Sequence, residues 1–171
     1  YEVDVKIFGV NPAAETYPEK KYDLIILHQL PDLFNIGGDI VQRYLQRDNT
    51  PVFFILGSQS STSKVSQLNS ALTVVSNPGQ IDKVSGRFNP NFKLLNLDAD
   101  KLSILEKMPP LTVPFGEYRL LPGSETILFQ NVGNLRTNKP LLILNTGGAR
   151  KSAVLAGEGI WQWRLEEYAL T

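Results

Sequence analysis

The sequence predicts an α/β domain built on a mostly parallel β-sheet. Two segments, Tyr22–Leu27 and Pro51–Leu56, are nearly continuous apolar runs, typical of strands that are buried on both faces. Each is followed by a polar stretch and then by a helical pattern. This order of strand, helix, strand and helix favours parallel strands joined by right-handed crossovers. An antiparallel hairpin or edge extension is expected in the second half of the chain.

The composition fits one globular domain. The chain has 171 residues, of which 42% are hydrophobic and 20% charged. Seventeen basic residues balance seventeen acidic ones and no basic cluster is present, so nucleic acid is not an expected partner. The absence of Cys excludes disulfides, thiolate metal sites and cysteine nucleophiles, and one His is too few for a zinc site. No metal, no cofactor and no direct insertion into a membrane by this segment are expected.

The first half of the chain is predicted to form two strand–helix units. Tyr1–Phe8 alternates apolar and polar residues as a strand with one wet face does, and Gly9–Lys21 is predicted to be a loop. After Tyr22–Leu27, Asp32 is the expected N-cap of a helix that ends near Arg47. Its apolar stripe comprises Leu33, Ile36, Ile40, Val41, Tyr44 and Leu45.

A second helix is predicted after the strand Pro51–Leu56. Ser58 and the run Ser60–Ser63 follow the turn at Gly57, and their hydroxyl groups are expected to cap the free N–H groups of that helix. Its apolar face is expected to carry Val65, Leu68 and Leu72.

The middle of the chain, residues 73–131, is predicted to be an insertion or edge extension within a single domain, 1–171. Asp98 or Asp100 is expected to cap a short helix that ends at Pro109-Pro110. The remaining pieces are predicted to be short strands, mostly antiparallel: Thr73–Val75, Gly86–Phe88, Phe92–Leu95, Leu111–Phe115, Tyr118–Leu121 and Glu125–Asn131.

The end of the chain returns to regular patterns. Leu141–Leu144 and Ser152–Ala156 are predicted to form a hairpin around the Gly-Gly turn at 145–149, a better interpretation of that turn than a phosphate loop. A final helix is predicted for Ile160–Tyr168. One of its faces carries Trp161, Leu165 and Tyr168.

With these elements in order, the chain resembles the class I glutamine-amidotransferase-like domains, which have a flavodoxin-like three-layer α/β sandwich. It is most similar to the domain of this kind in bacterial membrane proteins that also carry von Willebrand factor A domains. The most distinctive residues are those of Lys151–Arg164, with the sequence KSAVLAGEGIWQWR; Tyr22–Leu27 and Pro51–Gly57 are more generic.

The resemblance also predicts the context of the chain. Family members have one more strand and helix before the segment that matches Tyr1, and this chain begins without Met, so a fragment of a larger protein is expected. The parent is expected to be anchored in the cell membrane and to hold this domain as a soluble unit, for which the periplasm is the location considered. The expected partners are other domains of the parent or another protein.

The chain departs from the family at the catalytic positions. Catalytic members use a Cys at a sharp strand-to-helix turn, which here falls at Gly57-Ser58-Gln59, and a His on a later segment, which here falls near Gly157-Glu158-Gly159. Neither side chain is present, so glutamine hydrolysis by that mechanism has no nucleophile and no base. A non-catalytic interaction or ligand-sensing module is therefore expected.

Two alternatives remain open on the residues. A serine hydrolase would use Ser58 as nucleophile and His28 as base, with Glu158 as an orienting or acid–base group, although the Gly-x-Ser-x-Gly elbow is absent. A small-molecule binder would use the vestigial crevice, and Glu158 would either contact that ligand or cap the last helix. His28 is otherwise expected to be packed and hydrogen-bonded. The expected crevice residues are His28, Gln29, Gly57, Ser58, Gln59 and Glu158.

Overall fold

The computed structural model describes residues 2–9 and 17–170. These residues form one seven-stranded mixed sheet and four α-helices, and the strand order is β1-β2-β7-β6-β5-β3-β4. The elements in chain order are β1 Ile25–His28, α1 Gly38–Arg47, β2 Val52–Ile55, α2 Thr62–Leu68, β3 Leu72–Phe88, α3 Ala99–Lys107, β4 Leu111–Leu120, β5 Ser124–Val132, β6 Leu135–Asn145, β7 Ser152–Leu155 and α4 Ile160–Leu170.

The sheet is mainly antiparallel, so the prediction of a mostly parallel, flavodoxin-like sandwich is wrong. Only β1 with β2 and β2 with β7 pair in parallel. The pairings β7–β6, β6–β5, β5–β3 and β3–β4 are all antiparallel. Short turns reverse the chain between β5, β6 and β7, whereas a parallel neighbour needs a long crossover. The apolar runs identified β1 and β2 but say nothing about the longer strands that make up most of the sheet.

Helices pack on both faces of the sheet, over two clusters of buried side chains. On β2, Phe54 points into the first cluster and Phe53 into the second, because successive side chains of a strand point to opposite faces. The first cluster includes Val41 of α1 and Val65 of α2. The second cluster includes Leu141, which is fully buried, and receives Leu105 from α3 and Trp163 from α4 as partly buried neighbours.

Strand β3 belongs to both clusters. Its first part pairs with the end of β4 and contributes Val74 to the first cluster, and its second part contributes Val84 to the second cluster. The register shifts between Ser76 and Ile81, where Gly79 has a positive φ of 80°. The segments Thr73–Val75 and Gly86–Phe88, predicted as separate strands, are therefore parts of one 17-residue strand with a β-bulge between them, which re-aims the side chains that follow it.

The predicted N-terminal strand is wrong for its described residues. Residues 2–9 form no strand, and Val3, Val5 and Ile7 are 75–82% exposed. Side chains hold the segment instead: Lys20 bridges to Glu2 and Asp4 at 2.8 and 2.7 Å. Tyr1 and residues 10–16 of the predicted loop lie outside the described residues.

The predicted helices are present, but two of them differ from the prediction in where they begin or end. Helix α1 begins at Gly38, not at Asp32, because Gly37 adopts the left-handed conformation before it; Asp32 instead accepts a hydrogen bond from Ile36 N. Helix α2 ends at Leu68, so Leu72 lies in β3. Asp98 caps α3 by accepting a hydrogen bond from Lys101 N at 2.9 Å, as predicted.

Several strand predictions are also settled. The hairpin of β6 and β7 is confirmed, and so is the antiparallel pairing of the middle strands. Leu111–Phe115 and Tyr118–Leu121 are two parts of one strand, β4. Phe92–Leu95 forms no strand: Phe92 is buried, but the segment lies in an irregular stretch before α3.

Candidate functional site

The candidate site is a crevice at the carboxyl ends of the three parallel strands. His28, Ile55 and Leu155 are aligned in the register of β1, β2 and β7, so the residues that follow them emerge side by side. Ligands of open α/β sheets bind outside such strand ends. In this chain those residues are Gln29, Gly57 and Glu158, together with the turn that continues from Gly57.

Two polar side chains converge over the buried Gly57. A Cβ at this position would overlap Oε2 of Glu158 and lie 2.6 Å from Oε1 of Gln29. Only a glycine leaves room for both groups, so the carboxylate and the amide reach the same point above the backbone. The structure thereby brings together Gln29, Gly57 and Glu158, three of the expected crevice residues.

The Gln29 side chain is fixed in the crevice by the turn after β2. Its Oε1 accepts a hydrogen bond from the backbone N–H of Gln59 at 3.0 Å. Gln29 N donates to Ile55 O at 2.8 Å, and Gln29 has a positive φ of 55°. A non-glycine residue in that conformation is uncommon. The backbone turns sharply here and directs the amide across the end of β2.

Glu158 is held by its backbone and has an unpaired carboxylate. Its N–H donates to Thr112 O at 2.9 Å and its C=O accepts from Thr112 N at 3.0 Å. Directly opposed residues of such a pair have side chains on the same face. Thr112 Oγ1 in turn accepts a hydrogen bond from Lys83 Nζ at 2.6 Å. Among the described residues, nothing donates a hydrogen bond to the Glu158 carboxylate and no cation pairs with it.

The prediction that serine side chains cap the N–H groups of α2 is wrong. Ser61 is at the N-cap position but makes no capping hydrogen bond with its side chain. Ser60 Oγ accepts a hydrogen bond from Gly57 N at 3.0 Å, and Ser60 N donates to Gly57 O at 3.1 Å. Two hydrogen bonds between Gly57 and Ser60 thus stabilise the turn. Ser58, between them, is exposed.

Ser58 and His28 emerge from adjacent strands without a mutual hydrogen bond. His28 is the last residue of β1 and is exposed, so the interpretation of a packed, hydrogen-bonded imidazole is wrong. Neither side chain makes a hydrogen bond within the part of the chain that the structure describes. As placed, the Ser58 hydroxyl has no base beside it, and a hydrolase would have to bring the two groups together.

The site contains hydrogen-bonding groups rather than a metal centre. Within residues 2–9 and 17–170, no three His, Asp or Glu side chains lie close enough together to hold a metal ion. In the same residues, no helix is long and apolar enough to cross a membrane. The crevice therefore offers one carboxylate, two carboxamides, a hydroxyl and an imidazole.

Sequence reasoning missed two residues that border the crevice, Thr112 and Lys83. They lie 46 and 75 positions before Glu158 in the chain, on β4 and β3, and only the ladder between those strands brings them to the site. The one available signal was the polar Thr112 on the otherwise apolar segment Leu111–Phe115. That signal does not identify the element they meet.

Comparisons with known proteins do not assign the chain to a family. No protein-family model matches the chain, and no curated protein matches it. Among solved structures, it is similar to the β-galactosidases from Bacillus circulans sp. alkalophilus (TM-score 0.42, 10% identity) and from Rahnella sp. R3 (TM-score 0.45, 12% identity), over 86% of this chain and 22% of each of theirs. It is also similar to the mmIFT52 N-terminal domain, with a TM-score of 0.39 and 14% identity, over 79% of this chain and 65% of that one. At these TM-scores and identities, the similarities carry no argument about function.

Proposed function

We propose that this chain is a non-catalytic amidotransferase-like module that binds a ligand or a partner in the crevice, within a larger membrane-associated bacterial protein. One observation supports this above all: Gln29 and Glu158 close over Gly57, at the turn where catalytic relatives hold their nucleophile. The chain has no Cys, and its one His, His28, forms no hydrogen bond with Ser58. The polar groups of the crevice are suited to binding and lack a catalytic pair.

The chemistry of the crevice favours a ligand that donates hydrogen bonds. The Glu158 carboxylate can only accept hydrogen bonds when it is ionised, and no described group satisfies it. Gln29 Oε1 already accepts from Gln59 N, which leaves its amide NH₂ to donate. A neighbouring pair of hydroxyl groups would donate to the carboxylate and accept from the amide, whereas a protonated amine would donate to the carboxylate alone. A protein side chain such as Lys supplies the same donor as a small amine does.

A ligand screen tests the binding role. Small amines, amino sugars and polyols would be added singly while the thermal unfolding midpoint is recorded, because a ligand of the folded state raises it. A stabilising compound is expected to lose its effect in Glu158→Gln and to keep it in Glu125→Gln, a matched change at an exposed site on β5. A compound that stabilises all three proteins equally would contradict binding in the crevice.

A fluorophosphonate probe separates this proposal from the serine hydrolase. Such probes label a serine only when a base activates it. We expect no labelling of the wild type. Labelling that disappears in both Ser58→Ala and His28→Ala would show a hydrolase and end the non-catalytic proposal.

The parent protein supplies the remaining test. We expect the full-length sequence to contain a membrane span and a von Willebrand factor A domain beside this segment. The partner would then be one of the parent's own domains or a protein that it meets. A parent without either feature would contradict this context and leave the crevice proposal standing.

A further inference from the structure

Helix α4, which begins two residues after Glu158, carries a surface with the character of an interface between copies. An ordinary surface helix buries its apolar face, but helix α4 exposes an apolar face to solvent. Its spacing places Trp161, Leu165 and Tyr168 on one face, and these side chains are 64%, 62% and 69% exposed. Gln162 and Glu166, on the opposite face, are half-buried. We call the three apolar side chains the α4 ridge.

Helix α4 is anchored through Trp163 rather than through its ridge. The indole Nε1 donates to Pro109 O at 2.7 Å. Its ring lies against β3 at Gly86, where an added Cβ would be 3.2 Å from Cη2 of Trp163. This one half-buried aromatic side chain fixes which side of the helix faces the sheet. The ridge is therefore held outward by the fold and is not a loosely placed tail.

An apolar groove runs beside the ridge, between α3 and α4. Its volume is about 430 Å³, and Lys101, Arg164 and Glu167 supply its charged rim. Its mouth is also apolar, since Leu95 and Ile160 are 45% and 41% exposed. Among the apolar groups that line it are Phe88, Ile104, Met108, Leu128 and Leu142. An apolar groove beside exposed apolar side chains, bordered by charges, is the kind of surface on which interaction sites are built.

We infer that the α4 ridge of one copy of this chain docks in the α3–α4 groove of a second copy. The ridge and the groove are adjacent on one molecule and complementary in kind, which is what a two-fold symmetric interface requires of each partner. Each copy would insert its ridge and receive one in return. This proposal concerns a different surface from the crevice and does not depend on the crevice's ligand.

Charge favours a second copy over a membrane surface. The chain has a formal net charge of zero, so two copies do not repel each other. Arg164 pairs with Glu167 of its own helix at 2.5 Å in an exposed ion pair, and in a dimer either group can pair with the other copy instead. Helix α4 carries one basic and two acidic side chains, whereas helices that lie on anionic membranes are rich in Lys and Arg.

Light scattering over a dilution series tests the proposal. We expect the wild type to approach twice its chain mass of 19.1 kDa and to dissociate on dilution. Trp161→Glu should weaken self-association at least about tenfold, because buried Trp side chains dominate such interfaces. Leu95→Glu, at the mouth of the groove, should do the same. Leu135→Glu is the matched control: Leu135 is 66% exposed at the start of β6 and should leave the mass unchanged.

Each other outcome overturns the inference. A wild type that stays monomeric at its highest soluble concentration has no such interface. A dimer that survives Trp161→Glu associates through another surface, and one that survives only Leu95→Glu does not use the groove. Binding to phosphatidylglycerol vesicles by a monomeric wild type, lost in Trp161→Glu, would assign the ridge to lipid. Circular dichroism of the variants, whose substituted side chains are all substantially exposed, confirms that each is folded.

Discussion

The two halves of the sheet differ in how their strands are specified and in what they present to solvent. The parallel half, β1, β2 and β7 with α1 and α2, consists of four-residue strands whose carboxyl ends form the polar crevice. The antiparallel half, β3–β6 with α3 and α4, consists of strands of 9 to 17 residues and carries the apolar groove and ridge. Short parallel strands that depend on crossovers place chemical groups at their ends, whereas long strands joined by turns build surface.

Phe54→Ala tests whether the two halves of the sheet unfold as one unit. Phe54 is fully buried in the parallel half, and its truncation should lower the free energy of unfolding by about 3–5 kcal/mol. Strand β7 contributes Val154 to one cluster and Leu155 to the other, so destabilisation should spread across the sheet.

Urea denaturation followed by two signals measures this effect. Circular dichroism reports both halves, and tryptophan fluorescence reports α4, because both Trp residues lie on that helix. We expect both transitions to move to lower urea concentration together. A fluorescence transition that stays in place would mean that the antiparallel half is stable alone.

The junction between the halves should be nearly as sensitive. Asn69 lies buried between α2 and β3 and makes four hydrogen bonds: its Nδ2 donates to Val65 O and Leu72 O, and its Oδ1 accepts from Ala71 N and Leu72 N. Asn69→Ala removes these four hydrogen bonds and should cost about 2–3 kcal/mol in urea denaturation. Asn69→Leu, a branched side chain of similar shape, removes the same bonds and should cost about as much. A much smaller loss in Asn69→Leu would place the cost of Asn69→Ala in packing instead of hydrogen bonding.

A smaller effect is expected at the crevice. Gly57→Ala must displace the flexible ends of Gln29 and Glu158 and break the bond from Gln59 N, a cost of about 1 kcal/mol. Gly147→Ala is the control, because its Cβ would meet only Asn145 Oδ1 at an ordinary 3.7 Å. In a Glu158→Ala, Gln29→Ala background, the Gly57→Ala penalty should vanish. A penalty that persists there would show that the backbone, not those side chains, requires glycine.

The smallest effect concerns acid stability in the antiparallel half. Hydrogen bonds from the backbone N–H and then the side chain of Lys101 hold the pKa of Asp98 below its usual value. A carboxyl whose pKa is lowered by folding stabilises the protein above its unfolded pKa and loses that contribution as the pH falls through its folded pKa.

The variant Asp98→Asn keeps the capping oxygen and removes the charge. We therefore expect the thermal unfolding midpoint to fall slightly less between neutral and acidic pH than in the wild type. An unchanged pH dependence would attribute the acid sensitivity to other carboxylates.

The sequence predicted local features well and the sheet poorly. The N-cap Asp98 and the hairpin at 145–149 follow from side-chain and turn chemistry within a few residues, and both were found. The bulge at 77–80 looked like a strand end, because Pro and Gly mark turns and bulges alike. Alternating apolar residues in 2–8 predicted a strand, but a strand also needs a neighbour, and none pairs with this described segment.

Those crevice residues that come directly after apolar strands could also be predicted from local patterns. Gln29, Gly57 and Glu158 follow apolar strands, so their positions at one edge could be inferred once β1, β2 and β7 were taken as neighbours. Thr112 and Lys83 could not be inferred, since they reach the site through long-range pairing of β3 and β4. The outward ridge of α4 was equally hidden: the pattern identifies an apolar face, and only the anchoring of Trp163 decides which way it points.

The bulge in β3 also offers a position at which the chain could be cut into two fragments. Residues 77–80 are exposed and lie between two separately registered stretches of one strand, so a backbone cut there would break no ladder pair. The first fragment would carry β1, β2 and the start of β3, and the second would carry the rest, including β7, which pairs with β2. Neither fragment holds a complete sheet, because each lacks strands that pair with those of the other. The domain is thus a natural candidate for a split reporter whose two pieces report proximity by reassembling.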